Sequence, residues 1–177
     1  MLQDLEKTEK VKIYTLLEDY AGYSTLFKSQ HGISFLIETK VGNNTKRVLF
    51  DTGTSAEPVL YNMDLLNIDS NSIDMIVLSH NHYDHTGGLK KIVEKIDGEV
   101  PIFAHPNIFR KSFAVDPMFR YAGIPPIRGG MKEDIEEIGG IWMLSEDPIK
   151  LMPGIFTLGE INSQVEFEME ANIDLYK

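Results

Sequence analysis

Apolar and polar positions along the chain fall into two rhythms. From Val11 to Leu17 polar and β-favouring residues alternate loosely, and Ile33 to Thr39, reading Ile-Ser-Phe-Leu-Ile-Glu-Thr, alternates more firmly. Both segments predict strands. Val41-Gly42-Asn43-Asn44-Thr45 supplies turn chemistry before another strand at Arg47 to Phe50, which together predict a hairpin. Glu57-Pro58 opens a helix running to about Leu66, proline being tolerated in a first turn. After the polar loop Asp69-Ser70-Asn71-Ser72 comes Met75-Ile76-Val77-Leu78, whose unbroken apolar character marks a strand buried on both faces. Beyond Gly87 the period changes: Leu89, Ile92, Val93 and Ile96 share one face of a predicted helix, while Lys90, Lys91 and Lys95 take its solvated side and Asp97-Gly98 ends it.

The second half repeats these signals more weakly. Val100 to Ala104 predicts a strand, Lys132 to Ile138 an acidic helix stopped by Gly139-Gly140, and Ile141 to Leu144, Ile149 to Leu151 and Ile155 to Leu158 three short strands. Between them, Phe109 to Arg128 mixes Arg110, Lys111, Arg120 and Arg128 with Phe113, Phe119 and Tyr121. It reads either as a substrate-facing lid with anion-binding arginines or, slightly better, as an irregular surface loop of snorkelled side chains. From Gly159 onward the chain turns acidic, through Glu160, Glu166, Glu168, Glu170 and Asp174, with no run that closes a domain.

Composition narrows the classes. With 177 residues, a single domain spanning 1–177 is the expectation, and 42% hydrophobic with 25% charged residues fits a globular rather than a disordered chain. A net charge of −10 repels phosphate backbones and anionic lipid, which argues against nucleic acid and membrane partners. Cysteine is absent, so only His, Asp and Glu remain as metal-ligand types. Met1 to Lys12 carries no long apolar segment, and neither a secretory signal nor a transmembrane helix is visible; a cytoplasmic location follows by default.

The candidate chemistry sits in Ser79-His80-Asn81-His82-Tyr83-Asp84-His85-Thr86-Gly87-Gly88-Leu89, where the buried strand ends. Alternate residues of an extended backbone face one way, so His80 and His82 can present nitrogens to one point while Asp84 and His85, beyond a turn, reach a neighbouring one. Neutral imidazole and carboxylate suit zinc, with iron and manganese as weaker candidates. A solvated histidine-rich turn is the bland alternative, and four ligand-type residues within six positions make it the poorer one. Asp51, in Asp51-Thr52-Gly53 at another strand end, reads evenly as a turn residue or as an outer carboxylate orienting a metal-binding histidine. His105, at the end of the Val100 strand, and His31, before Gly32, read better as hydrogen-bonded or substrate-facing residues than as further ligands.

His-x-His-x-Asp-His followed by Gly-Gly-Leu resembles the signature of the metallo-β-lactamase-fold hydrolases. The order of elements is similar to the amino-terminal half to two-thirds of their αββα sandwich. His31 to Glu38, Leu49 to Gly53, Leu78 to Leu89 and Gly159-Glu160-Ile161 resemble one branch, the dihydropterin-ribofuranosylaminobenzene phosphate synthases of methanopterin-type cofactor synthesis. The resemblance implies that His80 and His82 bind a first metal and Asp84 and His85 a second, with Asp51 in support and Asp84 also steering a proton in catalysis. It implies either a metal-dependent hydrolase or a pterin-type transferase acting on a small, diphosphate-bearing substrate, with up to two zinc ions.

Complete members also carry a later His, a bridging Asp and a final His, whereas this sequence has no histidine after His105. The resemblance therefore implies an incomplete domain, and a split or non-catalytic subunit is the alternative expectation. A homo-oligomer or a complementing carboxyl-terminal chain would cover the apolar sheet face that half a sandwich exposes.

Overall fold

The structure, a computed structural model, describes residues 8–114, 117–126 and 129–161. Arg128, Glu166, Glu168, Glu170 and Asp174 lie outside the described residues. The described residues form a mixed α/β structure built on one six-stranded sheet. Its first three strands, β1 (Lys10–Leu17), β2 (Ser34–Val41) and β3 (Asn44–Phe50), pair antiparallel, with Val41 opposite Asn44 across the Gly42-Asn43 turn. Gly42 takes φ +58° there, a conformation that side chains with a Cβ resist.

The rest of the sheet is parallel: β3 beside β4 (Met75–Val77), β4 beside β5 (Val100–Ala104), and β5 beside β8 (Gly140–Leu144). Parallel neighbours need crossovers. These carry α1 (Ala56–Leu65), α2 (Tyr83–Thr86) with α3 (Leu89–Val93), and α4 (Lys132–Glu136). Ala56, Val59 and Met63 of α1, Leu89, Ile92 and Val93 of α3, and Ile135 of α4 close over Leu36, Leu49, Ile76 and Ile102 of the sheet in one core. The predicted apolar face of the Leu89 helix is thus the buried one.

Alternate residues of the same strands face the other way. Val48 and Val77 meet Ile37, Phe50, Phe103 and the hairpin of β9 (Lys150–Met152) and β10 (Ile155–Phe156), where Met152 is buried. This second core is smaller, and Ile13, Ile141 and Met143 of the sheet stay exposed.

Three expectations are corrected. The helix expected from Gly87 to Ile96 begins earlier, as the short α2, and continues as α3, because Gly87 and Gly88 hold right-handed helical φ/ψ between them. The strand before Phe50 starts at Asn44, since its outer residues pair while remaining exposed and so carry no apolar mark. The segment taken for irregular loop contains a small hairpin of β6 (Phe113–Ala114) and β7 (Arg120–Tyr121), with Phe113 stacked on Phe119 at 5.2 Å.

The register fixes where chemistry can occur. Phe50 lies opposite Val77, and Val77 opposite Phe103, so the chain leaves β3, β4 and β5 at one edge. Asp51, Ser79 to His85 and His105 are delivered there together, at the carboxyl ends of parallel strands where α/β sheets form crevices.

Candidate metal centre

Asp51 follows Phe50 with φ +57°, a left-handed turn that Asp tolerates better than most residues, and Gly53 follows at +68°. The turn buries the Asp51 side chain completely beneath the motif. Its Oδ1 accepts the backbone N–H of Ser79 at 2.8 Å, and its Oδ2 accepts the Ser79 hydroxyl at 2.7 Å and His85 Nδ1–H at 2.7 Å. Asp51 thus both makes the turn and receives His85 Nδ1–H, so neither of its two readings displaces the other. A carboxylate behind Nδ1 fixes the ring and leaves Nε2 as its free nitrogen.

The motif's remaining residues are held by backbone contacts. Thr52 N–H and Thr52 Oγ1 both donate to the His85 carbonyl, and Tyr83 N–H donates to the Ala122 carbonyl. Asn81 turns inward, where its amide donates to the Arg110 carbonyl and to Ser112 Oγ. Gly87 and Gly88 lie flat against Thr52, Thr54 and Ala56, so that a Cβ on either would fall inside the backbone of that segment. Replacing Gly88 by Ala should thus cost about 1–3 kcal/mol through overpacking, read as a lower urea midpoint at unchanged slope.

The three motif imidazoles come together. The His80 ring centroid is 4.6 Å from that of His82 and 4.1 Å from that of His85. Asp84 Oδ2 stands 3.5 Å from His85 Nε2 and 3.5 Å from His31 Nε2, while His31 Nδ1 meets Asp19 Oδ1 at 3.2 Å. His31 thereby borders the motif across Asp84, a neighbourhood that spacing along the chain could not disclose. Gly32 makes it possible, because a side chain there would strike the Asp84 carbonyl.

Burial holds His80 well below the ordinary imidazole value, at about 4, and the charges of His85 and His82 push the same way. His82 is lowered too, by burial first, against the pull of Asp84. For His85 burial also acts downward, but the Asp51 hydrogen bond and charge, with Asp84, carry the net shift upward. At neutral pH His80 and His82 thus stand in the neutral form that a cation needs.

The donor set of neutral imidazoles and carboxylate has the chemistry for zinc, iron or manganese. Its present arrangement falls short of a closed site: among the described residues no three His, Asp or Glu side chains are placed to hold one ion. His105 takes no part in the cluster. Its Nδ1 accepts the Asn107 N–H at 3.1 Å, and its Nε2 is buried without a hydrogen-bond partner among the described residues. His105 and Ser79 both line a cavity of about 390 Å³ between the sheet's second face and the β9–β10 hairpin. Among the described residues no helix is long and apolar enough to cross a membrane.

The 7,8-dihydropterin-6-methyl-4-(beta-D-ribofuranosyl)-aminobenzene-5'-phosphate synthase of Methanocaldococcus jannaschii is 59% identical over 179 residues, which take in 100% of this chain and 60% of that protein. An uncharacterized protein of the same organism is 36% identical over 157 residues, 88% of this chain and 56% of its own length. The chain thus spans less than two thirds of the length of either relative. Among solved structures, a subclass B3 metallo-beta-lactamase from a soil metagenome library superposes with a TM-score of 0.45 at 13% identity, over 85% of this chain and 52% of that one. The model of the metallo-beta-lactamase superfamily matches residues 32–157, a span that includes Asp51, the whole histidine motif and the strands that deliver them, and the chain belongs to that superfamily.

Proposed function

We propose that the chain carries the first part of a metal-dependent active site for a small phosphorylated substrate in methanopterin-type biosynthesis. The observation that carries this is the joint placement of His80, His82, Asp84 and His85 at the sheet edge with Asp51 behind them, in a chain 59% identical to the synthase. His80 and His82 would hold one ion, and Asp84 and His85 a second. Zinc is the ion of choice, with iron and manganese as the others these donors suit. A bound divalent cation would supply Lewis acidity toward diphosphate oxygens, which fits a transferase that expels diphosphate as well as a hydrolase of the same fold. The reading carries with it a cytoplasmic location.

The chain's own residues do the positioning. Asp51 locks His85 through Nδ1. Asp84 Oδ2 also stands 3.5 Å from His31 Nε2, so a proton taken up by this carboxylate can pass to that imidazole. His31, with its second nitrogen on Asp19, is set to relay that proton toward solvent.

Zinc titration by calorimetry, together with metal analysis of protein purified without chelators, tests the reading. The wild type should bind zinc and His82→Ala should bind at least tenfold more weakly. A folded wild type that contains no zinc, iron or manganese and takes up none on titration would overturn it.

A further inference from the structure

We propose that the Ser79 hydroxyl selects which nitrogen His80 offers to a cation, by holding the ring in the tautomer with hydrogen on Nδ1 and a bare Nε2. The inference rests on His80 and His85 being metal ligands, but its decisive measurement needs no metal.

It follows from counting protons. Ser79 Oγ lies 2.7 Å from Asp51 Oδ2 and 2.9 Å from His80 Nδ1, and a hydroxyl has one hydrogen to give. The Asp51 carboxylate is fully buried and can only accept, so the hydrogen between Asp51 and Ser79 must come from the serine. Aimed instead at His80, the hydroxyl would leave two oxygens facing each other at hydrogen-bond distance with nothing between them, one of them a buried carboxylate short of a donor. With its hydrogen committed to Asp51, Ser79 can only accept from His80. The contact to His80 then requires a hydrogen on Nδ1, and the neutral ring is left with Nε2 unprotonated.

Asp51 therefore governs both rings from behind. It grips His85 directly, through Nδ1 at 2.7 Å, and His80 through one intervening hydroxyl. Both imidazoles expose the same nitrogen, although only one touches the carboxylate. Ser79 Oγ also lies 3.4 Å from His85 Nδ1, so the hydroxyl sits at the junction of the two rings. The short side chain suits the task, because its backbone N–H donates to the other oxygen of the same carboxylate and pins the residue from two atoms. Ser79 is thus a positioning residue, acting on His80 rather than on substrate.

Histidine-selective nitrogen-15 NMR of the metal-free protein at neutral pH reads the tautomer directly. His80 should show a protonated Nδ1 and a bare Nε2 in the wild type. Ser79→Ala should move a large share of the hydrogen to Nε2, and Ser79→Thr, which keeps the hydroxyl, should restore the wild-type pattern. Zinc affinity should follow, falling about 10–100-fold in Ser79→Ala and recovering in Ser79→Thr. A wild-type His80 protonated on Nε2, or a tautomer that Ser79→Ala leaves unchanged, overturns the proposal. Zinc uptake by the wild type bears on the functional reading alone, so the two failures are separable. If Ser79→Ala does not fold, Ser79→Cys, which replaces the hydroxyl by a weak acceptor, must show the same shift toward Nε2.

Discussion

Asp51→Ala is expected to lower the stability of the metal-free chain by about 3–5 kcal/mol and to weaken zinc binding by at least the 10–100-fold typical of a lost supporting carboxylate. The stability loss comes from what remains. Ser79 N–H, Ser79 Oγ–H and His85 Nδ1–H all converge on this carboxylate, and a methyl group answers none of them. A buried donor left unmade costs about 1–3 kcal/mol, and the residue is wholly inside, so water does not readily take its place. Losing the carboxylate also removes the hydrogen bond and charge that keep His85 above its ordinary value, leaving burial to push that ring downward. Urea denaturation gives the first number and calorimetric titration with zinc the second. A loss in stability below about 1 kcal/mol with unchanged zinc affinity would show that Asp51 is a turn residue only.

Asn at the same position separates geometry from charge. It fits the space and the left-handed φ of +57°, which Asn tolerates, yet its amide nitrogen must replace either Oδ1, where it opposes the Ser79 backbone N–H, or Oδ2, where it faces both the Ser79 hydroxyl and His85 Nδ1. In the second placement the hydroxyl accepts from the amide and is free to donate to His80 Nδ1, which drives that ring's hydrogen to Nε2. Asp51→Asn should therefore keep more stability than Asp51→Ala while losing a comparable share of zinc affinity.

What the chain disclosed before folding divides along a physical line. The strand Val100–Ala104 was legible to the residue, and the buried face of Leu89, Ile92, Val93 and Ile96 likewise, because burial is written in apolar side chains. Asn44 to Lys46 pair in β3 while exposed, and exposure leaves no such mark. Gly87-Gly88 looked like a simple helix start; their need is tertiary, the close approach of the Thr52 to Ala56 segment. The candidate ligands were legible for another reason, since few residue types can bind a cation and these stand within six positions. The role of Ser79 was not, because a hydroxyl is common and its partner Asp51 arrives from 28 residues away; His31 was named as a hydrogen-bonded or substrate-facing residue, but its place beside Asp84 was not, since the two meet only once the chain has folded. His105 was read as hydrogen-bonded or substrate-facing, and its contacts give one nitrogen a hydrogen bond and leave the other buried and unpartnered among the described residues.

The same line predicts how the two faces of the central strand differ. Ile76 is fully buried among the helices, in the middle of β4 between β3 and β5, whereas its neighbour Val77 faces the smaller core beneath β9 and β10 and is 8% exposed. Ile76→Ala removes a branched side chain from a site that rigid strands on both sides keep from collapsing, and it should cost about 4 kcal/mol, in the upper part of the range for buried Ile→Ala. Val77→Ala removes less, about 1.5 kcal/mol at roughly 0.8 kcal/mol per methylene-sized group, and leaves a space that Met152 on its hairpin can partly fill. Both are read as urea midpoints at constant slope. The consequence reaches the metal centre, because Leu78 and Ser79 follow directly and β4 holds them in register with Asp51 through Phe50 and Val77. Ile76→Ala should thus weaken zinc binding more than Val77→Ala does, in step with its greater effect on stability. Equal costs on the two faces would mean that the hairpin side, not the helix side, is the principal support of this strand and of the histidines it delivers.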